Sequence, residues 1–412
     1  MIRIQESSEL LLSHLTPYRF LILAIACLPF LQMGSSLFMS CQGFLVAVII
    51  GLLLIRKTPI GIGSIWLLFA SASFTISFSL YAEVSFNFLR EIHFLLGGFL
   101  ACWILSSSLK VNHGHVKIER IAGYMATFIF AFTLLQQLLI MSGTYLIIPV
   151  NWYVNSEDAA LSERWVDHAM RHGLDLDIRV SAFFSEPSYL GLIAAVLYYI
   201  QQVNHERWQP IPCLIALGTS AVACTSLGFV ANLALGLMFL SRRHATAVLI
   251  SLLGIFAFAI TMSSVSEIIG SRLQAIITGD DQSANVRIFH PLSILSLTWG
   301  THIVGIPITG IEEALSNTGL FDVNGESPLQ NGVFNFFFSF GMMAVPLLVM
   351  LLRKKNHYFV LIFMIIANQN GAFFELDKLV MYALTWIVTP DNTPFFLNRD
   401  DADAPTPRST NS

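Results

Sequence analysis

The stretch Arg179-Val-Ser-Ala-Phe-Phe-Ser-Glu186-Pro187-Ser188-Tyr-Leu-Gly191 joins a long polar segment to a hydrophobic run, and its reading decides what kind of fold this chain has. An X-Pro step biases the preceding residue away from helical dihedrals, and proline is well placed in a first helical turn. Pro187 therefore opens a helix, with Glu186 at its N-terminus. The run beyond it is apolar enough to enter a bilayer, so a cation and a carboxylate stand at the membrane edge. Charged groups at that depth are costly and mark a pathway or a site. The plainer alternative is an ordinary helix start with a capping carboxylate.

Composition carries the same reading over the whole chain. With 412 residues, 55% hydrophobic and 12% charged, the sequence is too apolar for one or two soluble domains, and it reads as an all-α polytopic membrane protein. The net charge of -4 is spread so that cations lie in short clusters between apolar runs rather than on one basic face, so no nucleic acid is expected as a partner. Cys27, Cys41, Cys102, Cys213 and Cys224 all sit inside apolar runs without metal-ligand spacing, and read as small core residues. Glu6 and Glu9 precede the first apolar run without a strongly basic stretch, so that run reads as a retained helix rather than a cleaved signal.

A spanning helix needs roughly 20 apolar residues. Candidate spans lie at 19–34, 37–55, 59–80, 86–108, 120–142, 187–203, 211–225, 227–241, 245–264, 332–352, 357–373 and 376–390, about twelve transmembrane helices in all. Arg56/Lys57, Lys110/Lys117/Arg120, Arg207, Arg242/Arg243 and Arg353/Lys354/Lys355 fall in alternate connections. The positive-inside rule makes those loops and both termini cytoplasmic and puts two long outer, periplasmic-side segments, 143–186 and 265–331, on the other face. Ile211 to Leu240 reads as two short spans, because a single span would separate Arg207 from Arg242/Arg243, and Cys224-Thr-Ser-Leu-Gly228 offers a break. Pro291 to Gly310, interrupted by Gly300, Gly305 and Pro307, is placed as a re-entrant or interfacial segment, since a span there would reverse every later loop. Within the first outer segment, Ser156 starts and Gly173 ends a helix with Leu161, Trp165 and Ala169 on one face, suited to lying on the outer leaflet. The chain thus reads as a single transmembrane domain over 1–390, followed by a tail, 391–412, rich in Asp, Pro, Ser and Thr that reads as disordered.

No soluble-enzyme signature is present: there is no phosphate loop, no zinc spacing and no nucleophile elbow. The outer segments contribute Arg164, Arg171, Arg179, Arg272 and Arg287, with the carboxylates Glu186, Glu312, Glu313, Asp322 and Glu326. Guanidinium groups grip phosphate oxygens bidentately and stay charged, and a lipid pyrophosphate is the obvious anion at that depth. Arg179 and Arg287, each beside an apolar run, lead the candidates. Arg90, Glu91 and His93 cluster at the outer end of the fourth span, and Asn368, Gln369, Asn370, Glu375, Asp377 and Lys378 surround the last outer turn. Mutual pairing or snorkelling to the interface accounts for both groups. Gln136 and Gln137 on the fifth span, and Ser71, Thr75 and Ser79 along one face of the third, read as helix-packing residues.

Taken together, Arg179-x-x-Ala-x-Phe-x-Glu186-Pro187-Ser188 after an outer loop, the Thr225-Ser226-x-Gly228 helix break, and the late loop running from Arg287 through Gly305 and Gly310 to Gln330-Asn331 and Gly341 resemble the Wzy-type O-antigen and exopolysaccharide repeat-unit polymerases. That superfamily includes the O-antigen ligases, which resemble the late loop but commonly carry a His where Gln330 stands, and this favours polymerase over ligase. The resemblance implies a membrane glycosyltransferase, independent of metal and cofactor, at the outer face of the bacterial inner membrane. It would polymerise repeat units into O-antigen or a related surface polysaccharide by moving a glycan from undecaprenyl pyrophosphate onto a new lipid-linked unit. Its implied partners are that lipid-linked oligosaccharide, membrane lipid, and a chain-length regulator and flippase of the same pathway. Developing negative charge on the leaving pyrophosphate needs fixed cations, and the acceptor hydroxyl needs a base. Arg179, Arg287 and Glu186 take those catalytic roles, with Arg90, Arg164, Arg171, Arg272, Gln330 and Asn331 as substrate-binding candidates. A transporter or lipid-linked oligosaccharide flippase is the alternative from another class; it would place its site at the midplane on broken helices in matching halves, whereas here the charge is concentrated in two outer segments.

Overall fold

In a computed structural model, residues 17–32, 40–80, 88–111, 115–142, 180–184, 187–205, 207–223, 225–240, 292, 304–306, 331–353, 355–369 and 373–390 are described, and among them the structure is helical, with no strand. In chain order the helices are α1 (Pro17–Cys27), α2 (Cys41–Ile55), α3 (Gly61–Leu80), α4 (Phe88–Ser106), α5 (His115–Met141), α6 (Pro187–Gln202), α7 (Pro210–Val222), α8 (Ser226–Phe239), α9 (Gly332–Phe340), α10 (Ala344–Leu352), α11 (His357–Ala367) and α12 (Leu376–Val388). Among the described residues three stretches are long and apolar enough to cross a membrane: Gly61–Leu80, Val116–Ile140 and Gly332–Leu352, the last comprising α9, a 3-10 turn and α10. The other described helices are shorter and fall where spans are expected. The expected span at 245–264, the outer-leaflet helix at 156–173 and the tail at 391–412 lie outside the described residues.

Hydrophobicity sorts the helices by position in the bundle. On α3, Ile62, Ile65, Leu68, Phe69 and Ile76 are exposed, as are Tyr124, Leu135 and Leu138 on α5, an arrangement suited to lipid rather than water. At the centre, α6 is buried along its whole length from Tyr189 to Gln202, and α12 from Asp377 to Thr385. These two helices are parallel. Their starts are joined through Gln369, which reaches both Ser188 and Lys378, and their ends meet where the Tyr199 and Thr389 hydroxyls lie 2.7 Å apart.

The stretch from 211 to 240 is an antiparallel helical hairpin. A Cβ at Gly228 would meet the Ser220 Oγ at 3.3 Å, whereas one at Gly236 would meet the Cys213 Sγ at 2.8 Å. At the turn, the Thr225 N–H and hydroxyl both donate to the Ser220 carbonyl. The crossing with α6 is close because both residues at the contact lack a side chain: a Cβ on Gly191 would meet the Gly228 Cα at 2.8 Å. Asn232 seals it, its amide donating to the Gly191 and Gly228 carbonyls and to the Ser220 Oγ.

One end of the bundle gathers the basic connections. Lys110 Nζ donates to the Trp386 and Thr389 carbonyls at 2.6 and 2.8 Å, Lys355 Nζ to the Leu105 carbonyl, and both ammonium groups lie over the Trp386 ring. Trp103 Nε1 donates to the Thr58 carbonyl beside Arg56 and Lys57, and His205 pairs with Glu119 at 3.0 Å. The connections at 56–60, 107–111, 203–205, 207–209 and 355–356 therefore share this basic end, while the starts of α6, α9 and α12 share the opposite, polar end.

Candidate functional site

The first turns of α6, α9 and α12 converge at the polar end on one residue. Gln369, two residues beyond α11, donates from Nε2 to the Ser188 Oγ at 3.0 Å. Its backbone carbonyl accepts from Gly332 N–H at 3.2 Å and from Lys378 Nζ at 2.8 Å. Asn331 caps α9 by accepting from the Val333 and Phe334 N–H groups, and its amide donates to the Asn368 Oδ1 at 2.6 Å. Lys378 is 0% exposed, with the carboxylates of Glu375 and Asp377 close enough to interact with its charge. The Asp377 Oδ1 accepts from the Lys378 N–H at 2.7 Å. The buried Tyr189 hydroxyl lies beside Asp377 and has no partner in hydrogen-bonding geometry among the described residues.

Below this polar layer is an aromatic floor. Phe336 stacks on Phe373 at 4.5 Å, Phe363 on Tyr382 at 4.3 Å, and Trp66 meets Phe374 edge-on at 5.2 Å. Trp66 and Tyr382 spend their polar atoms on the Leu95 and Phe373 carbonyls. The floor excludes water, and in so apolar a setting each charge–dipole contact above it is stronger than in solvent.

The segment before α6 is tied to the same end. Of the Arg179-to-Glu186 stretch, residues 180–184 are described: Val180, Ala182 and Phe184 are buried, and Phe183 stacks on Phe132 at 4.2 Å. Ala182 has a φ of 51°, a left-handed conformation that costs about 1–2 kcal/mol outside glycine. Gln136 on α5 holds it there by accepting from the Ala182 N–H at 2.9 Å. Gln136, read from the sequence as a packing residue, is thus a backbone clamp on the Arg179-to-Glu186 stretch.

The late loop is pinned as well. Residues 304–306 lie between α3 and α9, where the Ser73 hydroxyl donates to the Val304 carbonyl and the Ser77 hydroxyl to the Gly305 carbonyl, each at 2.9 Å. Ile306 N–H donates to the Phe338 carbonyl at 2.8 Å, just before the helix break at Gly341. Gly305 has a φ of 80°, and a Cβ there would overlap the Phe338 and Ser339 backbone. Irregular backbone held this way by protein groups is what a re-entrant segment requires. The inward face of α3 is therefore Ser73 and Ser77; Thr75 and Ser79, expected to pack, are exposed and bond back to Ser71 and Thr75 of their own helix.

A family model described as WcaD colanic acid polymerase matches residues 16–384. The chain belongs to that family. No curated protein and no solved structure matches it.

The match to the WcaD family begins just before α1 and ends within α12, so it takes in the polar end and both central helices. In this WcaD-family chain the residues singled out from sequence fall in three groups. Asn331 is at the polar junction, with both ends of its side-chain amide engaged. Arg90 lies in the first turn of α4, where the next residue, Glu91, is 3% exposed. Arg164, Arg171, Arg179, Glu186, Arg272, Arg287 and Gln330 lie outside the described residues, although Glu186 directly precedes α6 and Gln330 directly precedes the Asn331 cap. Gln369, Asp377 and Lys378, read from the sequence as mutually paired or snorkelling to the interface, are paired among themselves and with Glu375, and Lys378 is buried rather than reaching the interface. Among the described residues no group of His, Cys, Asp and Glu could hold a metal ion.

Proposed function

We propose that this protein polymerises lipid-linked oligosaccharide repeat units into a surface polysaccharide, using an undecaprenyl-pyrophosphate-linked glycan as donor and a new lipid-linked unit as acceptor. The observation that carries the reading is the match of a polysaccharide polymerase family along residues 16–384. The convergence of three helix starts at one end supports it, because helix N-termini favour anions such as a pyrophosphate. In this reading the bond between the donor's anomeric carbon and the pyrophosphate oxygen breaks as the acceptor hydroxyl oxygen attacks that carbon. The hydroxyl proton passes to Glu186, and undecaprenyl pyrophosphate leaves with the electron pair, its charge held by Arg179 and Arg287. Arg90, Arg164, Arg171, Arg272, Gln330 and Asn331 orient the two glycan chains.

The orientation proposed is an inner-membrane protein with the basic end and both termini in the cytoplasm and the polar end facing the periplasm, as the positive-inside rule requires. Reporters fused after Arg164 or Asp322 are expected to signal outside, and those after Arg243 or Lys355 inside; an inside signal at Asp322 would make 291–310 a span and displace the late loop.

The decisive experiment is the glycan profile of a strain lacking the gene. Loss of a polymerase leaves single lipid-linked units that can still be transferred, so the surface glycan carries one unit and no ladder. Loss of a ligase leaves long polymer on the lipid carrier, and loss of a flippase strands single units on the cytoplasmic side. The one-unit product, with the ladder restored by the wild-type gene, is the expected result. Long polymer on the carrier would move the assignment to ligase.

A further inference from the structure

A lysine buried in an apolar bundle needs an explanation, because desolvating an ammonium is costly unless it is paired and hydrogen-bonded. Lys378 is 0% exposed and lies where three of the described helices begin together. Its Nζ bonds a backbone carbonyl, that of Gln369, which also accepts from the first N–H of α9. The side chain of the same Gln369 holds Ser188 in the first turn of α6. Gln369 is 5% exposed and Asn331, next to it, is also 5% exposed, so water is not there to substitute for these bonds. Three helix starts are therefore fixed through one residue, and that residue is held by one buried cation.

Resting on the polymerase reading, we propose that Lys378, Gln369 and Ser188 form a positioning unit that sets the first turns of α6, α9 and α12 relative to one another, and so the alignment of the donor and acceptor sugars bound at the polar end. None of the three touches the reacting atoms. Lys378 is outnumbered by its two neighbouring carboxylates, so its charge is spent within the group, which holds geometry without competing for the pyrophosphate. A misplacement of about 1 Å in such a site lowers turnover by about 100-fold while leaving binding of a long lipid-linked substrate largely intact.

The test uses the full chain in membranes of the deletion strain, where lipid-linked single repeat units accumulate and serve as the probe. Ladder formation by the wild-type gene checks the polymerase reading independently of the variants. Ser188→Ala and Gln369→Leu are each expected to lower turnover per molecule of membrane protein by about 10- to 100-fold, with KM for the lipid-linked unit changed by less than about threefold. Because both remove the same tie, Ser188→Ala/Gln369→Leu should be no slower than the worse single variant. Ser188→Thr, which keeps the hydroxyl, should recover most of the turnover. Lys378→Met should lower turnover at least as far as Gln369→Leu, and if it does not accumulate, the Ser188 and Gln369 cycle decides alone. Additive losses in the double variant, or unchanged turnover per molecule in both singles, would overturn the proposal.

Discussion

The two ends of the bundle use the same residue type in opposite ways. At the basic end, Lys110 and Lys355 reach backbone carbonyls near helix ends and lie 3.3 and 3.7 Å from the centre of the Trp386 ring, and their stems pack while the surrounding loops meet solvent. That is what a cation near a helix C-terminus ordinarily does. At the polar end, Lys378 is in the first turn of α12, where the helix dipole disfavours a cation, and it is fully buried. A lysine tolerated against both its dipole and its desolvation is held there by Glu375, Asp377 and Gln369. In the proposed orientation the basic end faces the cytoplasm, and the polar end holds the buried cation.

Substitutions can break or sharpen that contrast. The largest effect is expected from Arg179→Ala, Arg287→Ala and Glu186→Gln, each of which should abolish the ladder on a gel while immunoblots show protein in the membrane. Arg179→Lys should recover little, because an ammonium lacks the guanidinium fork. Wild-type ladders from both arginine variants would remove the pyrophosphate clamp from the polar end.

Next is Gly305→Ala. The new Cβ meets main chain rather than a movable side chain and requires a left-handed backbone, so a loss on the order of 2–5 kcal/mol is expected, read as a fall in membrane-inserted protein and in the unfolding temperature of the solubilised chain. An unaffected Gly305→Ala protein would mean the late loop is not pinned between α3 and α9.

Gln136→Leu should have an intermediate effect. It leaves the Ala182 N–H buried without its acceptor, a cost of about 1–3 kcal/mol, and polymer yield should drop further than protein amount because the Arg179-to-Glu186 stretch loosens. Gln136→Glu, which keeps an acceptor oxygen, should be milder.

The smallest effect is expected at the basic end. Lys110→Met removes a cation–π contact and two bonds to the end of α12, about 0.5–2 kcal/mol, and should shift the unfolding temperature slightly with the ladder intact. A lost ladder from Lys110→Met would erase the distinction between the ends.

The sequence by itself determined the membrane class, the positions of the described helices and the gathering of the described basic connections, because these follow from apolar run length and cation placement, which are local. The hairpin from 211 to 240 was legible for the same reason: the parity of Arg207 and Arg242/Arg243 left room only for two passes, and the turn fell at the expected Thr225-Ser226 break. The polar stretch before Pro187 was legible as important, yet its clamp by Gln136 was not, since a side chain to backbone bond between residues 46 positions apart leaves no periodic trace. The same holds for Ser73 and Ser77 against Ser71, Thr75 and Ser79. Both sets are small polar residues on one helix, and only packing decided which face receives the late loop. Lys378 shows the limit most plainly: beside Glu375 and Asp377 the sequence suits pairing or snorkelling, and the structure shows the pairing but buries the ammonium. Burial is a property of what surrounds a residue, and the elements packed on α12 (α2, α4, α6 and α11 among them) are brought together by tertiary structure alone.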